Sequence, residues 1–356
     1  IYLKKGDILK ANSLKGYSVI IFMAITNIFY CDFVGFNYLI DNYKQNAWIM
    51  ILFLFIINII ICLPFKGFKK SFSPLKEIKN NVFVKTIVIL YIVLSAVMLT
   101  LFSSFIIKNY FYYKTPIQVF IVLTTIVSII ISFQSFNSII SSAILFFFFF
   151  GFFYIFPLFF LKEHDFSLLL PIDIDIKNFY KVFLMALYLL DNFLLVFYSP
   201  NIDNGFKRKH IFIGNTILII YFLYITIDST TLLGANYYLN TKMAGFLRWQ
   251  LFKGDSILEN YDVFLLVMIT VTTIYKLSMH FNILRLITGL KKNNKYLFIF
   301  IAVFLSLSLV ANCFILQLEN NFVFLSTIAF LLIFILYLYF TKKSMEDYRE
   351  SNTDAQ

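Results

Sequence analysis

The chain has 356 residues, 60% of them hydrophobic and 14% charged, with a mean hydropathy of +0.83. A water-soluble fold has no means of hiding that much apolar surface, so the composition excludes a soluble enzyme or regulator and requires a bilayer as solvent. The net charge of +11 would suit a nucleic-acid binder, but its placement along the chain follows membrane topology instead.

A spanning helix needs about 20 mostly apolar residues. In chain order, spans are predicted at 17–39, 47–64, 83–107, 116–133, 138–161, 179–199, 211–234, 262–286, 296–316 and 322–341. Span 1 is too long for the apolar core of a signal peptide and lacks a small-residue cleavage site. The connection 65–82 contains Ser73-Pro74-Leu75-Lys76-Glu77-Ile78, which predicts a short interfacial helix. Span 5 holds the run Phe146 to Phe150, expected to be lipid-facing or packed. Between spans 7 and 8, Met243, Phe246, Leu247 and Leu251 recur at helical spacing, with Lys242, Arg248 and Gln250 between them. That pattern predicts an amphipathic helix on the outer surface. The result is an all-α integral membrane protein with ten transmembrane helices in one polytopic domain over 1–341, followed by a polar, frayed cytoplasmic tail at 342–356.

Lys and Arg are enriched on the cytoplasmic side of membrane proteins. With both termini cytoplasmic, the tail, the 2–3, 6–7 and 8–9 connections and the C-terminal segment carry 20 of the 30 basic residues. Nine fall outside, and Lys276 lies within a span. The basic balance therefore implies anionic lipid headgroups as partners and no nucleic acid. The ten spans divide into halves at about 17–161 and 179–341. Five spans per half give the halves opposite orientations, the arrangement of inverted-repeat transporters.

Ionisable groups within spans are costly and face a partner or a cavity. Lys276 lies near the middle of span 8, about 15 Å from either end and too deep to snorkel. Thr272, Lys276 and His280 are spaced i, i+4, i+8 and share one face. They are read as ligand-binding, with a helix-to-helix tether as the alternative role for Lys276. Asp32 in span 1 and Asp191-Asn192 in span 6 sit just past the midpoints of their helices, with Asn27 about one turn before Asp32 and Gly35 a flexible point beside it. In an inverted repeat these positions are equivalent, and there broken helices expose backbone groups to a central ligand. Hydration at the outer interface is the alternative for Asp32. Asp228, among Thr226, Ser229, Thr230 and Thr231, is expected to line a wet vestibule, with a buried site as the alternative. Cys31, Cys62 and Cys313 form no metal spacing, and His164, His210 and His280 form no ligand cluster. No cofactor or metal is expected.

Several short motifs resemble those of the B subunit of GerA-type spore germinant receptors, a branch of the amino acid–polyamine–organocation transporter superfamily. The clearest is Gly254-Asp255-Ser256-Ile257-Leu258-Glu259-Asn260-Tyr261-Asp262 followed by an apolar run to Lys276. It is similar to an outer loop ending in a Glu-Arg-x-Asp-like element before a span with a lysine; Asn260 replaces the arginine. Asn46-Ala47-Trp48-Ile49, Thr115-Pro116, Leu233-Gly234, Leu170-Pro171 and Pro200 extend the resemblance in order across nearly the whole chain. The family's mid-span glycine in span 1 is replaced near Phe29, and its Gly-x-Glu-like element in span 6 by Asp191-Asn192-Phe193. Those are ligand-reading positions, so ligand identity does not transfer.

The resemblance implies a LeuT-like 5+5 inverted-repeat fold, a small nutrient ligand such as an amino acid, and receptor A and C subunits as partners. It also implies the inner membrane of a bacterial endospore. A proton- or sodium-coupled amino acid permease is the competing expectation. A membrane glycosyl polymerase is disfavoured because the outer loop 162–178 holds Glu163, His164, Asp165, Asp173 and Asp175 but no arginine. No enzymatic activity is expected.

Overall fold

The computed structural model describes residues 14–29, 31, 35–151, 164–170, 172, 180–239, 261–290, 304, 308 and 319–353. Its helices are α1 (Gly16–Phe29), α2 (Phe36–Tyr43), α3 (Ala47–Cys62), α4 (Pro74–Asn80), α5 (Val82–Tyr110), α6 (Ile117–Ser132), α7 (Phe136–Phe150), α8 (Tyr180–Asp191), α9 (Arg208–Leu233), α10 (Ala235–Leu239), α11 (Tyr261–Thr288) and α12 (Glu319–Thr353). Two-residue strands β1 (Gly67–Phe68) and β2 (Phe206–Lys207) pair antiparallel.

Among the described residues, five helical stretches are long and apolar enough to cross a membrane: Phe36–Cys62, Val82–Asn109, Arg208–Leu233, Val263–Thr288 and Leu325–Arg349. Shorter apolar helices cover Gly16–Ile28, Ile117–Ser132 and Phe136–Phe149. Their outward faces carry Ile60, Leu90, Ile130, Phe148 and Ile220, all more than half exposed. Such a surface is tolerated only against lipid. The chain is therefore a multi-pass helical membrane protein. Span 9, the amphipathic segment around 243–251 and the end of span 5 lie outside the described residues, apart from Phe304 and Ser308.

Local sequence explains the boundaries. Pro74 opens α4 after Ser73, where its missing N–H costs nothing, and the short interfacial helix expected there is present. Asn81 caps α5 by accepting the Val84 amide at 3.2 Å, and Ser135 caps α7 through the Ser138 amide. Lys44, at φ 50° and ψ −129°, breaks the helical run between α2 and α3. Phe148 and Phe149 are exposed on α7, in keeping with the lipid-facing reading.

The connections gather at one end. The Leu14 amide donates to the Asn201 carbonyl at 2.9 Å, and the Asp203 amide donates to the Leu14 carbonyl at 2.8 Å. β1 and β2 join the 2–3 connection to the 6–7 turn, with Gly67 opposite Lys207 and Phe68 opposite Phe206. Gly205, at φ +74°, admits no side chain, since a Cβ there would lie 2.1 Å from the Phe68 carbonyl oxygen. On α12, Ser344 Oγ accepts the Lys66 amide at 3.2 Å and Asp347 Oδ2 accepts the Lys69 amide at 3.3 Å. This corrects the expectation of a frayed tail: α12 continues through Thr353 because its last turns dock on the ribbon. Beneath the ribbon an aromatic cluster joins Phe65, Phe68, Phe193, Phe197, Tyr337 and Phe340 through edge-on contacts.

Candidate functional site

Both helices expected to be interrupted change character at the predicted level. Regular α1 stops at Phe29, and Cys31 and Gly35 have π-helical geometry before α2 resumes. α8 stops at Asp191 and passes into a 3₁₀ stretch over Asn192–Asn201. Ten residues of 3₁₀ helix is long for a geometry usually confined to three or four, and such stretches mark hinges or strain.

At this level an ion pair is buried. Lys276 Nζ on α11 lies 2.6 Å from Asp191 Oδ2, with the two side chains 1% and 5% exposed. Asp191 Oδ1 accepts the Tyr91 hydroxyl from α5 at 2.6 Å, and His280 Nε2 stands 3.5 Å from the same oxygen. Among the described residues neither ring nitrogen of His280 has a hydrogen-bond partner. The carboxylate thus receives a cation and a hydroxyl donor and has an imidazole at its edge.

From the ammonium a chain of amides runs across the bundle. Lys276 Nζ donates to Asn27 Oδ1 on α1. Asn27 Nδ2 donates to Asn192 Oδ1 at 2.9 Å, and Asn192 Nδ2 donates to Asn215 Oδ1 on α9 at 2.7 Å. Asn215 Nδ2 donates to Asn58 Oδ1 on α3 at 3.0 Å. Asn58 Nδ2 closes the run on the Phe212 carbonyl and Thr216 Oγ1, both at 3.4 Å. Every link points the same way, so each bond polarises the next. The first link starts on a charge and is the strongest kind.

Of the residues singled out in the sequence, Asn27, Asp191, Asn192, Lys276 and His280 meet here. Thr272 is buried on the same face of α11, but its hydroxyl bonds back to the Met268 and Ile269 carbonyls at 2.7 and 3.2 Å. Gly35, read as a flexible point, is closely packed: a Cβ there would lie 2.7 Å from both Met185 Cε and Phe222 Cζ. Asp32 lies outside the described residues. Tyr91, Asn58 and Asn215 belong to the network and were missed. The available signal was the rule that polar groups within spans face inward, applied to carboxamides and phenols as well as to charges.

A second polar cluster lies at the opposite end. Asp228 is 3% exposed, which overturns the wet vestibule expected there. The segment around 164–170 folds over the end of α9 and excludes solvent: the Asp165 amide donates to the Thr231 carbonyl at 2.9 Å, His164 Nδ1 lies 2.6 Å from Thr231 Oγ1, and His164 Nε2 lies 3.5 Å from Asp228 Oδ1. Hydrogen bonding to Ser167 holds the exposed Asp165 carboxyl below its ordinary range. Among the described residues no group of three or more His, Cys, Asp or Glu side chains is arranged to hold a metal.

No curated protein matches the chain. A family model described as spore germination protein, the spore permease family, matches residues 14–314, which include every member of the central network. The chain belongs to this family of GerAB-like spore germination proteins.

Proposed function

We propose that this chain is the membrane subunit of a spore nutrient germinant receptor, binding a small zwitterionic nutrient at the level of Asp191 and Lys276. In this reading the bundle is a ten-span, LeuT-like 5+5 inverted repeat with both termini cytoplasmic. It works beside receptor A and C subunits in the inner membrane of the spore, and the ligand is a neutral amino acid.

The observation that carries the reading is the Asp191–Lys276 pair at 2.6 Å, buried where α8 loses α-helical geometry. A free amino acid carries the same two groups. Its ammonium replaces that of Lys276 at Asp191, and its carboxylate takes the released Lys276 ammonium together with backbone amides at the interrupted helices. The exchange keeps every buried charge paired, which an uncharged sugar cannot do. Lys276 leaving Asn27 resets the amide chain through Asn192 and Asn215 to α9 and α3. Phe193, adjacent to Asn192, contacts Phe65 and Tyr337 at centroid distances of 5.3 and 5.1 Å, so the change reaches the end of the bundle where the connections gather. That is a route from ligand to partner subunits.

The test is thermal unfolding of the purified protein against the twenty amino acids and a panel of sugars. A saturable rise in Tm with a neutral amino acid, lost in Asp191→Asn and Asp191→Ala, is expected. A response to sugars alone sinks the reading. Flux of the stabilising amino acid into proteoliposomes distinguishes the permease alternative, which requires net uptake driven by a proton or sodium gradient.

A further inference from the structure

We propose that the cleft between the β1–β2 ribbon and the last turns of α12 is a binding site for one anionic phospholipid, with a phosphate in the cleft and an acyl chain along α3 and α9. The cleft, about 460 Å³ and open to solvent, is lined by Lys66, Lys69, Lys207, Arg208 and Lys209 against a single carboxylate, Asp347. All five cations are exposed, and none forms an ion pair with a described carboxylate. Asp347 is engaged by the Lys69 amide. Lys66 stands over the Tyr348 ring at 5.9 Å, and Arg208 Nη1 reaches the Leu63 carbonyl at 3.4 Å, which leaves both cations able to donate further.

Five cations held within one cleft by a ribbon repel one another unless an anion joins them. The N-terminus of the 26-residue α9 opens at Arg208 and adds its positive end to the same place. A free inorganic anion would meet that requirement. The second observation selects a lipid. An apolar groove of about 300 Å³, lined by Ile59, Cys62, Leu63 and Phe212, shares Arg208 and Lys209 with the cleft. The same two helices carry further exposed apolar side chains, Ile56 and Ile60 on α3 and Ile213, Ile217 and Ile220 on α9. A headgroup pocket that continues into an apolar furrow on the lipid-facing wall matches a phosphodiester joined to acyl chains and nothing smaller. The site ties the 2–3 connection, the 6–7 turn and α12 together, so lipid occupancy would set how firmly that end is closed.

The test uses the whole protein in nanodiscs of phosphatidylcholine titrated with phosphatidylglycerol, read by thermal unfolding and by lipids retained in native mass spectrometry. Retention of one phosphatidylglycerol is expected, with a saturable rise in Tm. The triple variant Lys69→Gln, Lys207→Gln, Lys209→Gln should lose retention at least tenfold, while Lys76→Gln, Lys79→Gln, Lys85→Gln, at the same end but off the cleft, should keep it. Equal loss in both triples reduces the effect to general surface charge and overturns the site. Unchanged retention in the first triple overturns it too. Inorganic phosphate or glycerol phosphate displacing the lipid at millimolar concentration assigns the cleft to a free anion and overturns the lipid reading.

Discussion

Asp191 and Lys276 lie 2.6 Å apart with almost no solvent exposure, and they come from helices 85 positions apart in the chain. Removing one partner of a buried pair leaves an uncompensated charge and costs about 3–5 kcal/mol, whereas replacing both with apolar groups is often neutral. Lys276→Met is therefore expected to lower thermal stability sharply, and the Lys276→Met, Asp191→Leu double variant to recover most of the loss. Both should fail to respond to ligand. Unfolding of the parent, Lys276→Met, Asp191→Leu and the double variant in one detergent measures the coupling. A double variant no more stable than the single would show that the two charges are not a balanced pair.

Asn215 is the middle of the amide chain, accepting from Asn192 and donating to Asn58. Asn215→Leu leaves two buried carboxamides short of a partner, at a cost of about 1–3 kcal/mol each. A Tm drop larger than that of Asn42→Leu is expected, because Asn42, which donates to the Tyr38 carbonyl one turn earlier in α2, is less buried. Equal effects in a side-by-side melt would remove the network from the account.

Gly205 and Gly35 should differ in their response to alanine. At Gly205 the new Cβ meets a backbone carbonyl in a positive-φ turn, so the ribbon must open. At Gly35 the close atoms are the far ends of Met185 and Phe222, which can shift. Gly205→Ala should speed tryptic cleavage at Lys69 and Lys207 several-fold, and Gly35→Ala should leave that cleavage unchanged. Similar digestion of the two variants counts against the ribbon as the clasp of that end.

At the opposite end Asp165 titrates below its ordinary value of 3.8 because Ser167 hydrogen-bonds its charged form. A depressed folded pKa contributes stability that is present above the unfolded value and lost as pH falls through the folded one. Hydrogen exchange of residues 164–170 should therefore quicken as pH falls below about 4, after correction for the intrinsic rate. Asp165→Asn should flatten that dependence while leaving exchange in α5 untouched. An unchanged pH profile in the variant would place the acid sensitivity elsewhere.

What could be read from the sequence and what could not follows from the range of each interaction. Helix existence and the membrane as solvent are local properties. Composition and 20-residue apolar windows decide them: four of the five long apolar helices and the three shorter ones overlap those windows, while Phe36–Cys62 runs across the connection expected at 40–46. The mid-span charge of Lys276 announced a buried partner because no lysine stem reaches water from that depth, and Asp191-Asn192 announced a polar break in span 6 for the same reason. The partners themselves are long-range. That Lys276 meets Asp191 and Asn27, that Tyr91 adds its hydroxyl, and that Asn58 and Asn215 extend the chain depends on helix rotation and packing order. A lone asparagine in an apolar run carries too weak a signal to fix either. Asp228 shows the limit clearly: its neighbours in sequence are hydroxyls that suit a wet surface, and the position is buried in the tertiary structure, where residues 164–170 fold over the end of α9. The polar stretch after position 341 reads as a frayed tail for want of an apolar face, yet it is helical to Thr353. Its stabilising partners, the Lys66 and Lys69 amides, lie 278 positions away and come into reach only when the ribbon forms.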